Sequence, residues 1–257
     1  MHREIEGETR TLNISHDGSG KWYASFSVKQ ESVTIQPEKT GNSIGIDACL
    51  LHLATMSDGT VVDPPKFLKK GEKRIKKTQR NLSHKKKGSN NQEKAKISLS
   101  KQHQKVKNQR EDFAHKLSNQ MVQNNDLIVF EDLNITGMMK NHHLEKSIAD
   151  ASWNKPVQYT TYKTESAAKE VVLVDPRSTS RECSNYGYRG QEMKLSTRVF
   201  RCDHCGFEID RDLNAAINIH NRALEKVGRG TPEVTPVEIR ALPERATQIA
   251  EAGSPVP

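Results

Sequence analysis

The sequence predicts a mixed α/β fold, and three patterns support this prediction. Residues 11–36 alternate apolar and polar side chains around the turn segment DGSG, as a β-hairpin does. Residues 75–124 carry apolar side chains at the spacing of an amphipathic helix. Two short apolar runs, residues 126–132 and 171–175, have the length and composition of buried strands. Strands and helices in this order favour a mixed sheet covered by helices.

A second strand pair is expected in residues 43–62. The apolar run from Ile44 to Ala54 is too continuous for a strand with one solvated face, so we expect burial on both faces. Pro64 and Pro65 follow, and because proline lacks the N–H that a sheet requires, this part of the sheet should end before them.

The helical region should contain two helices, because the basic, glycine-containing segment at residues 85–91 interrupts its apolar pattern. A weaker helix is expected around Trp153 and Pro156, and a last helix over residues 211–226. The proline-containing tail from Gly228 has no periodicity and is expected to be disordered. In the helical region the predicted buried face comprises Leu99, Val106, Phe113, Leu117 and Met121. On the last helix the predicted buried stripe comprises Leu213, Ala216, Ile217, His220 and Leu224.

The positive charge of the chain is concentrated in one window. The net charge of the 257 residues is +8, whereas residues 66–110 alone hold 17 Lys or Arg against 2 acidic residues. An excess of one sign favours a surface that follows nucleic-acid phosphates, although a solvated helix face is the alternative. The predicted nucleic-acid-binding residues are Lys69, Lys70, Lys73, Arg74, Lys76, Lys77, Arg80, Lys85, Lys86, Lys87, Lys101, Lys105, Lys107 and Arg110.

Composition also limits where the chain is expected to act. No apolar stretch reaches the roughly 18 residues of a membrane span, and the first ten residues are too charged for a secretory signal. Three of the four cysteines are clustered at zinc-like spacing, which fits a reducing compartment better than a disulfide framework. We therefore expect no membrane partner and a cytoplasmic, nucleoid-associated protein of a prokaryotic host.

Three carboxylates are conspicuous for their positions. Asp47 lies inside an apolar run, Glu131 ends a buried strand, and Asp212 opens the last helix. A carboxylate inside an apolar strand is unfavourable unless a positive partner meets it. If the fold brings these acids together, they would hold two Mg²⁺ ions that activate water and stabilise the leaving oxygen in phosphodiester hydrolysis.

Each of these acids also has a purely structural explanation. Asp47 would bond locally, Glu131 would be an exposed strand end, and Asp212 would favour the helix dipole. Asp132 and Asp210 are neighbouring acids, so the residues alone leave open which acid acts at each place.

The cysteine spacing is that of a zinc ribbon with one ligand replaced. Cys202 and Cys205 form a C-x-x-C pair, but Cys183 is followed three residues later by Tyr186. A phenol with a pKa of about 10 is a poor substitute for a thiolate. His204 lies between the paired cysteines, where its side chain should point away from the site. Two interpretations of this segment stay open: three cysteines bind zinc, or the ribbon is stabilised by its own packing.

Several motifs, in order, resemble the TnpB (OrfB) family encoded by insertion sequences, which is related to the type V CRISPR effectors. The resemblance covers roughly residues 11–253. It rests on the segments GIDACLLHLATMSDG, IVFEDLNITGMMKN, DASW, VVLVDPRSTSRECSNYG and CDHCGFEIDRDLNAAINI.

The resemblance implies an RNase H-like (RuvC-like) nuclease domain with an inserted zinc-ribbon-like segment, a guide RNA and a target DNA. By motif position the catalytic, Mg²⁺-binding residues would be Asp47, Glu131 and Asp212, which favours Asp212 over Asp210. A functional link to an element-encoded transposase is also implied. The implied boundaries are 1–40 for the remnant of an N-terminal wedge-like β region, 41–177 for the first nuclease part with basic helices 66–124, 178–209 for the ribbon, 210–227 for the C-terminal nuclease helix and 228–257 for the tail.

The chain departs from the family pattern in several places. Relatives carry a longer N-terminal region, so a shortened copy is expected, with target recognition affected. Cys49 stands where relatives have glycine and is expected to crowd the substrate phosphate. Pro156 follows Trp153 where helix formers are usual, which is harmless only in a first turn. Tyr186 occupies the position of a zinc ligand, so zinc is a doubtful cofactor for this copy.

Three functions are therefore weighed. The first is a transposon-associated, RNA-guided DNA endonuclease that depends on Mg²⁺. The second is a catalytically impaired protein that still binds RNA or DNA through its basic surface. The third is a DNA-joining transposase, since RNase H-fold transposases also use three acids.

Overall fold

The computed structural model of the protein describes residues 7–29, 39–49, 52–134, 154–190, 193 and 197–228. The chain divides into two compact units. A hairpin unit takes its described residues from Met1–Glu38 and Lys66–Leu117, and a sheet unit takes them from Lys39–Pro65 and Ser118–Pro257. The elements are β1 Glu8–His16, β2 Trp22–Lys29, β3 Ser43–Asp47, β4 Ala54–Met56, β5 Val61–Val62, α1 Phe67–Ser83, α2 Asn90–Asn124, β6 Leu127–Glu131, α3 Asn154–Ser166, β7 Glu170–Val174, β8 Val199–Arg201, β9 Glu208–Asp210 and α4 Arg211–Lys226.

The first strands form the predicted hairpin, with β1 antiparallel to β2 and Leu12 opposite Phe26. Its turn is organised by Asp17, whose Oδ1 accepts hydrogen bonds from the backbone N–H of Ser19 at 2.9 Å and of Lys21 at 3.1 Å. Pairing begins earlier than predicted, at Glu8, and ends at Lys29. The remainder of the predicted span, residues 30–36, lies outside the described residues.

Helices α1 and α2 confirm the predicted break, since the segment between Ser83 and Asn90 is not helical. The predicted buried face of α2 is partly wrong. Leu99 and Phe113 are only half-buried, whereas Ala95 and Ala114 are buried beside the predicted Val106, Leu117 and Met121. Alanines were overlooked because small side chains contribute little to an apolar pattern, although they allow close packing.

The sheet unit contains a five-stranded mixed sheet in the order β5-β4-β3-β6-β7. Strands β3, β6 and β7 are parallel, and β4 and β5 are antiparallel to their neighbours. Leu127, Ile128 and Val129 of β6 have no exposed surface, which is typical of a central parallel strand. The predicted mixed α/β fold is confirmed, and residues 43–62, where a strand pair was predicted, contain the three strands β3, β4 and β5.

Helix α4 packs against β3 so closely that one position requires glycine. A Cβ atom at Gly45 would lie 2.4 Å from the carbonyl oxygen of Ala216 and 2.6 Å from the backbone nitrogen of His220. The predicted stripe on α4 is too narrow. Leu213, Ile217 and His220 are half-buried, and the face that is fully buried also contains Asn214, Ala215, Asn218, Ile219 and Ala223.

Helix α3 is described from Asn154 to Ser166, with Pro156 in the first turn of the described part. The predicted helix is therefore confirmed from Asn154 onward. Trp153 and the tail from residue 229 lie outside the described residues. Among the helices that the structure describes, none is long and apolar enough to cross a membrane.

Candidate functional site

The predicted acids converge at one edge of the sheet. Asp47 is the last residue of β3 and Glu131 is the last residue of β6. These strands are parallel neighbours, with Ile46 opposite Phe130, so their carboxyl ends lie side by side. Helix α4 packs on β3 and brings Asp212, in its first turn, to the same edge.

Asp47 and Asp212 lie close together, whereas Glu131 lies slightly apart. The ligand atoms of Asp47, Cys49 and Asp212 are all within 4.8 Å of one another, and Glu131 is not in this close group. The Oε1 atom of Glu131 instead accepts a hydrogen bond from the Thr179 hydroxyl at 2.7 Å. The sequence did not reveal Thr179, which precedes the cysteine segment.

Burial and mutual repulsion shape the electrostatics of these acids. Asp47 is 8% exposed, and its burial, followed by the charges of Glu131 and Asp212, raises its pKa well above the usual range. Burial also raises the pKa of Glu131, against the hydrogen bond from Thr179. Among the described residues, none donates a hydrogen bond to the Asp47 carboxylate. The Arg211 charge lowers the pKa of Asp47 by less than burial and the neighbouring acids raise it, so the arrangement favours a further cation beside the buried carboxylate.

Asp212 and Asp210, the two alternative metal ligands at this place, have different roles. The Asp210 side chain caps α4, because its Oδ1 accepts the backbone N–H groups of Asp212 at 2.9 Å and Leu213 at 3.0 Å. Asp212 is buried and accepts hydrogen bonds from the Arg211 guanidinium at 3.0 and 3.2 Å, with Arg198 at 3.8 Å. The geometry thus favours Asp212 as the ligand at this place.

Cys49 lies among the ligand atoms themselves. Its Sγ is 3.4 Å from Oδ2 of Asp212, and it also donates to the carbonyl oxygen of His52 at 3.3 Å. Burial raises the pKa of this thiol to about 12. Sequence reasoning identified Cys49 as an obstacle to the phosphate but missed that its sulfur is part of the acidic cluster.

The cysteines also form a cluster, as their spacing indicates. The sulfurs of Cys183, Cys202 and Cys205 lie within 4.8 Å of one another, with 3.7 Å between those of Cys183 and Cys205. Phe200 and Ile209, on the paired strands β8 and β9, pack against them. Three thiols held in this way suit a soft or borderline divalent cation such as Zn²⁺.

Tyr186 is not directed at the sulfurs. Its side chain is 64% exposed, and its ring lies 4.7 Å from that of His204. The His204 ring also stacks on Tyr188 at 5.3 Å. As expected, His204 is absent from the sulfur cluster, and among the described residues this cluster has three candidate ligands.

Two buried asparagines, which the sequence analysis missed, tie the cysteine segment to α4. Asn214 Nδ2 donates to the Glu182 carbonyl at 2.7 Å, and its Oδ1 accepts the Ser184 N–H at 3.0 Å. Asn218 Nδ2 donates to the carbonyls of Thr179 at 2.8 Å and Glu182 at 2.6 Å. Asparagine is a poor residue for a helix interior, and this was the available signal that these positions have partners.

The predicted nucleic-acid-binding residues lie on α1, on α2 and in the segment between them. All are exposed except Lys85 and Arg110, which are half-buried. Lys76 pairs with Glu72 at 3.0 Å, and Lys107 approaches Glu111 at 4.0 Å. Because residues 66–110 hold 17 Lys or Arg against 2 acidic residues, the two helices keep a net positive charge despite these pairs.

Two family models match the chain over more than half of its length together. One, described as "Probable transposase" (OrfB_IS605), covers residues 25–142, and the other, "Cas12f1-like, TNB domain", covers residues 153–219. Among solved structures, a Cas12f1–sgRNA–target DNA complex matches with a TM-score of 0.51 and 18% identity. The match covers 83% of this chain and 56% of that one, and it supports the fold alone.

Curated relatives agree with the family models. A Streptomyces pristinaespiralis protein is 35% identical over 213 residues, and InsQ of Escherichia coli (strain K12) is 33% identical over 233 residues. Both are named "Putative RNA-guided DNA endonuclease". The matches cover 82% and 84% of this chain but 52% and 57% of those proteins, so the chain spans about half the length of the curated relatives that it matches. The chain belongs to the TnpB (OrfB) family.

Proposed function

We propose that the protein acts as an RNA-guided DNA endonuclease that hydrolyses phosphodiester bonds with divalent metal ions. The observation that carries the proposal is the convergence of Asp47, Glu131 and Asp212 at the carboxyl edge of the sheet. The Asp47 carboxylate is buried there without a hydrogen-bond donor among the described residues. The names of the relatives and the guide RNA and target DNA in the Cas12f1 complex support the choice of partners.

The three carboxylates would hold two Mg²⁺ ions, which supply an activated water and stabilise the leaving oxygen. Oxygen ligands are those that Mg²⁺ prefers, so these acids fit the ion. Within the chain, Thr179 orients Glu131, and Arg211 and Arg198 orient Asp212 while offsetting part of its charge. The cysteine cluster would hold Zn²⁺ on Cys183, Cys202 and Cys205, with Tyr186 leaving the fourth position to another ligand.

We further propose that the mixed sheet with α4 is an RNase H-like (RuvC-like) nuclease domain with a ribbon inserted at residues 178–209. The parallel β3, β6 and β7 beside an antiparallel pair support this assignment. The basic helices would contact RNA and DNA phosphates, while the guide supplies sequence by base pairing. A DNA target places this activity at the nucleoid of a prokaryotic host, in association with an element-encoded transposase.

The decisive experiment uses the purified chain with its co-purifying RNA and a guide-matched DNA duplex. Asp47→Ala and Asp212→Ala should reduce cleavage to background, because each removes a buried ligand. Asp210→Ala is the matched control, since it loses a helix cap worth about 1 kcal/mol and should keep cleavage. Cleavage by Asp47→Ala at the wild-type rate would overturn the proposal.

The same assay separates the two alternative functions. Salt-dependent binding by the wild-type chain with no metal-dependent product would favour a protein that only binds nucleic acid. Joined donor and target strands would favour a transposase. Both products are resolved on one denaturing gel.

A further inference from the structure

We infer that the Cys49 sulfur is a metal ligand, and that the position between Asp47, Cys49 and Asp212 selects a thiophilic divalent cation such as Zn²⁺ or Co²⁺ over Mg²⁺. The inference deepens the proposed function and rests on it for the role of the metal. It replaces the Mg²⁺ proposed above at one of the two metal positions and leaves Mg²⁺ at the other, since Glu131 stands outside this close group and offers oxygen alone.

The spacing of the three ligand atoms suits one ion. Zinc binds carboxylate oxygen at about 2.0–2.2 Å and sulfur at about 2.3 Å in tetrahedral geometry, so two ligands of one ion lie about 3.3–3.8 Å apart. The atoms of Asp47, Cys49 and Asp212 all lie within 4.8 Å of one another, and the sulfur is 3.4 Å from Asp212 Oδ2. Side-chain adjustments of up to about 1 Å would therefore place all three around one cation.

A second, independent feature is the unpaired carboxylate of Asp47. This side chain is 8% exposed and accepts no hydrogen bond from the described residues. Arg211 donates hydrogen bonds to Asp212, which Arg198 also approaches, and the Arg211 charge lowers the pKa of Asp47 by less than burial and the neighbouring acids raise it. A buried carboxylate without a hydrogen-bond donor is unfavourable unless a cation meets it, and Arg211 supplies only part of the positive charge that the cluster requires.

The sulfur is also held in place for ligation. The backbone N–H of His52 donates to Cys49 Sγ at 3.4 Å, a contact that fixes the position of the sulfur beside Asp212. The thiol hydrogen is directed at Asp212 Oδ2 or the His52 carbonyl, and a metal ion would take the place of that hydrogen between sulfur and carboxylate.

The donor set determines the kind of ion. Magnesium takes oxygen ligands and retains several waters, whereas thiolate favours zinc and other softer cations. One sulfur beside two carboxylates is therefore a mixed set in which Mg²⁺ gains nothing from the sulfur. The same residue that crowds the site for Mg²⁺ strengthens it for a softer ion.

Cadmium NMR of the 257-residue chain tests this inference, with Cd²⁺ as the probe and Mg²⁺ in excess. Sulfur ligands shift the cadmium resonance downfield, so the three-sulfur cluster and the Cys49 site give separate signals. We expect Cys49→Ser to move the Cys49 signal upfield. It should also weaken Cd²⁺ binding there by at least about tenfold, the smallest effect typical of losing even an indirect contact to a metal.

Two controls make the outcome decisive. Cys202→Ser should change the three-sulfur signal and leave the Cys49 signal in place, and Cys49→Ala should repeat the loss if the serine variant folds poorly. A spectrum without a Cys49 signal, or one that Cys49→Ser does not alter, would overturn the inference and leave the cleavage result standing. A wild-type chain that never cleaves would overturn the proposed function and leave the cadmium signal intact.

Discussion

The cysteine segment contains two tight turns, which we call the first knuckle (Cys183–Tyr188) and the second knuckle (Cys202–Phe207). Both have the same backbone arrangement. The N–H of Cys183 donates to the Tyr188 carbonyl at 2.9 Å, and that of Cys202 donates to the Phe207 carbonyl at the same distance. Both turns end on a glycine with φ of 72°, Gly187 in the first and Gly206 in the second. This correspondence shows that the turn is specified by backbone hydrogen bonds and a left-handed glycine.

The knuckles differ at the third residue after the first cysteine. The second knuckle has Cys205 there, within the sulfur cluster, and the first has Tyr186, whose ring packs on His204. A knuckle can thus keep its shape after losing a ligand, because the ligand is not part of the hydrogen bonding that shapes the turn. Shape and metal affinity are separable in this part of the molecule.

The largest effect, on zinc affinity, is expected from a substitution that gives the first knuckle the cysteine that the second knuckle has. Tyr186→Cys would place a fourth thiolate where the second knuckle has Cys205. We expect zinc affinity to rise by about 100-fold or more, since a direct ligand exceeds the 10–100-fold effect of outer contacts. Competition with a chromophoric chelator measures this affinity. Tyr186→Ser is the control that removes the ring without adding a thiol, and an equal gain from both variants would contradict the explanation.

The glycines test whether the two turns are equally strained. Gly187→Ala and Gly206→Ala should each lower the free energy of unfolding by about 1–2 kcal/mol, the penalty of a left-handed non-glycine residue. Thermal unfolding in the presence of a chelator measures both. Gly190→Ala is the matched control, because its added Cβ would only reach ordinary contact, 3.6 Å from the Arg181 carbonyl oxygen. A large loss at one turn alone would break the correspondence.

The aromatic contact joins the two knuckles, with Tyr186 and Tyr188 in the first and His204 in the second. His204→Ala removes both ring contacts of His204 and should destabilise the protein by about 0.5–1.5 kcal/mol for each pair. Tyr186→Phe keeps the ring and should change stability by less than about 0.5 kcal/mol. Chemical denaturation without metal reports these differences. Equal stability of His204→Ala and wild type would show that the stacking contributes nothing.

The smallest expected difference is in thiol titration. Burial raises the pKa of Cys183 to about 11, whereas the backbone N–H groups of Cys205 and His204 lower the pKa of Cys202. As pH rises in metal-free protein, the Cys202 thiolate should therefore form first. The pH titration of ultraviolet thiolate absorbance should lose its low-pH component in Cys202→Ser and its high-pH component in Cys183→Ser. Identical titration curves for the two variants would refute this order.

The sequence predicted the elements well wherever a pattern was periodic. Alternation identified the hairpin, and the glycine-containing basic segment identified the break between α1 and α2. It failed where packing depends on small or polar residues. Ala95 and Ala114 carry too weak a signal, and the buried Asn214 and Asn218 obtain their partners from a distant segment.

The candidate site also has some features that the sequence indicated and others that it did not. The positions of Asp47, Glu131 and Asp212 made them candidates, the family resemblance favoured Asp212 over Asp210, and the fold brings Asp47 and Asp212 together. The hydrogen bond from Thr179 to Glu131 was not foreseeable, because 48 residues separate the two.

By itself the sequence determined the mixed α/β class, the family motifs, the basic window and the spacing of the cysteines, since all of these are local or repeated patterns. Only the tertiary structure decided that Asp210 caps a helix while Asp212 faces Asp47, and that Cys49 lies within the acidic cluster. It also decided that Tyr186 turns toward His204. The physical reason is that a side chain's partner depends on where distant strands and helices meet, which no local pattern encodes.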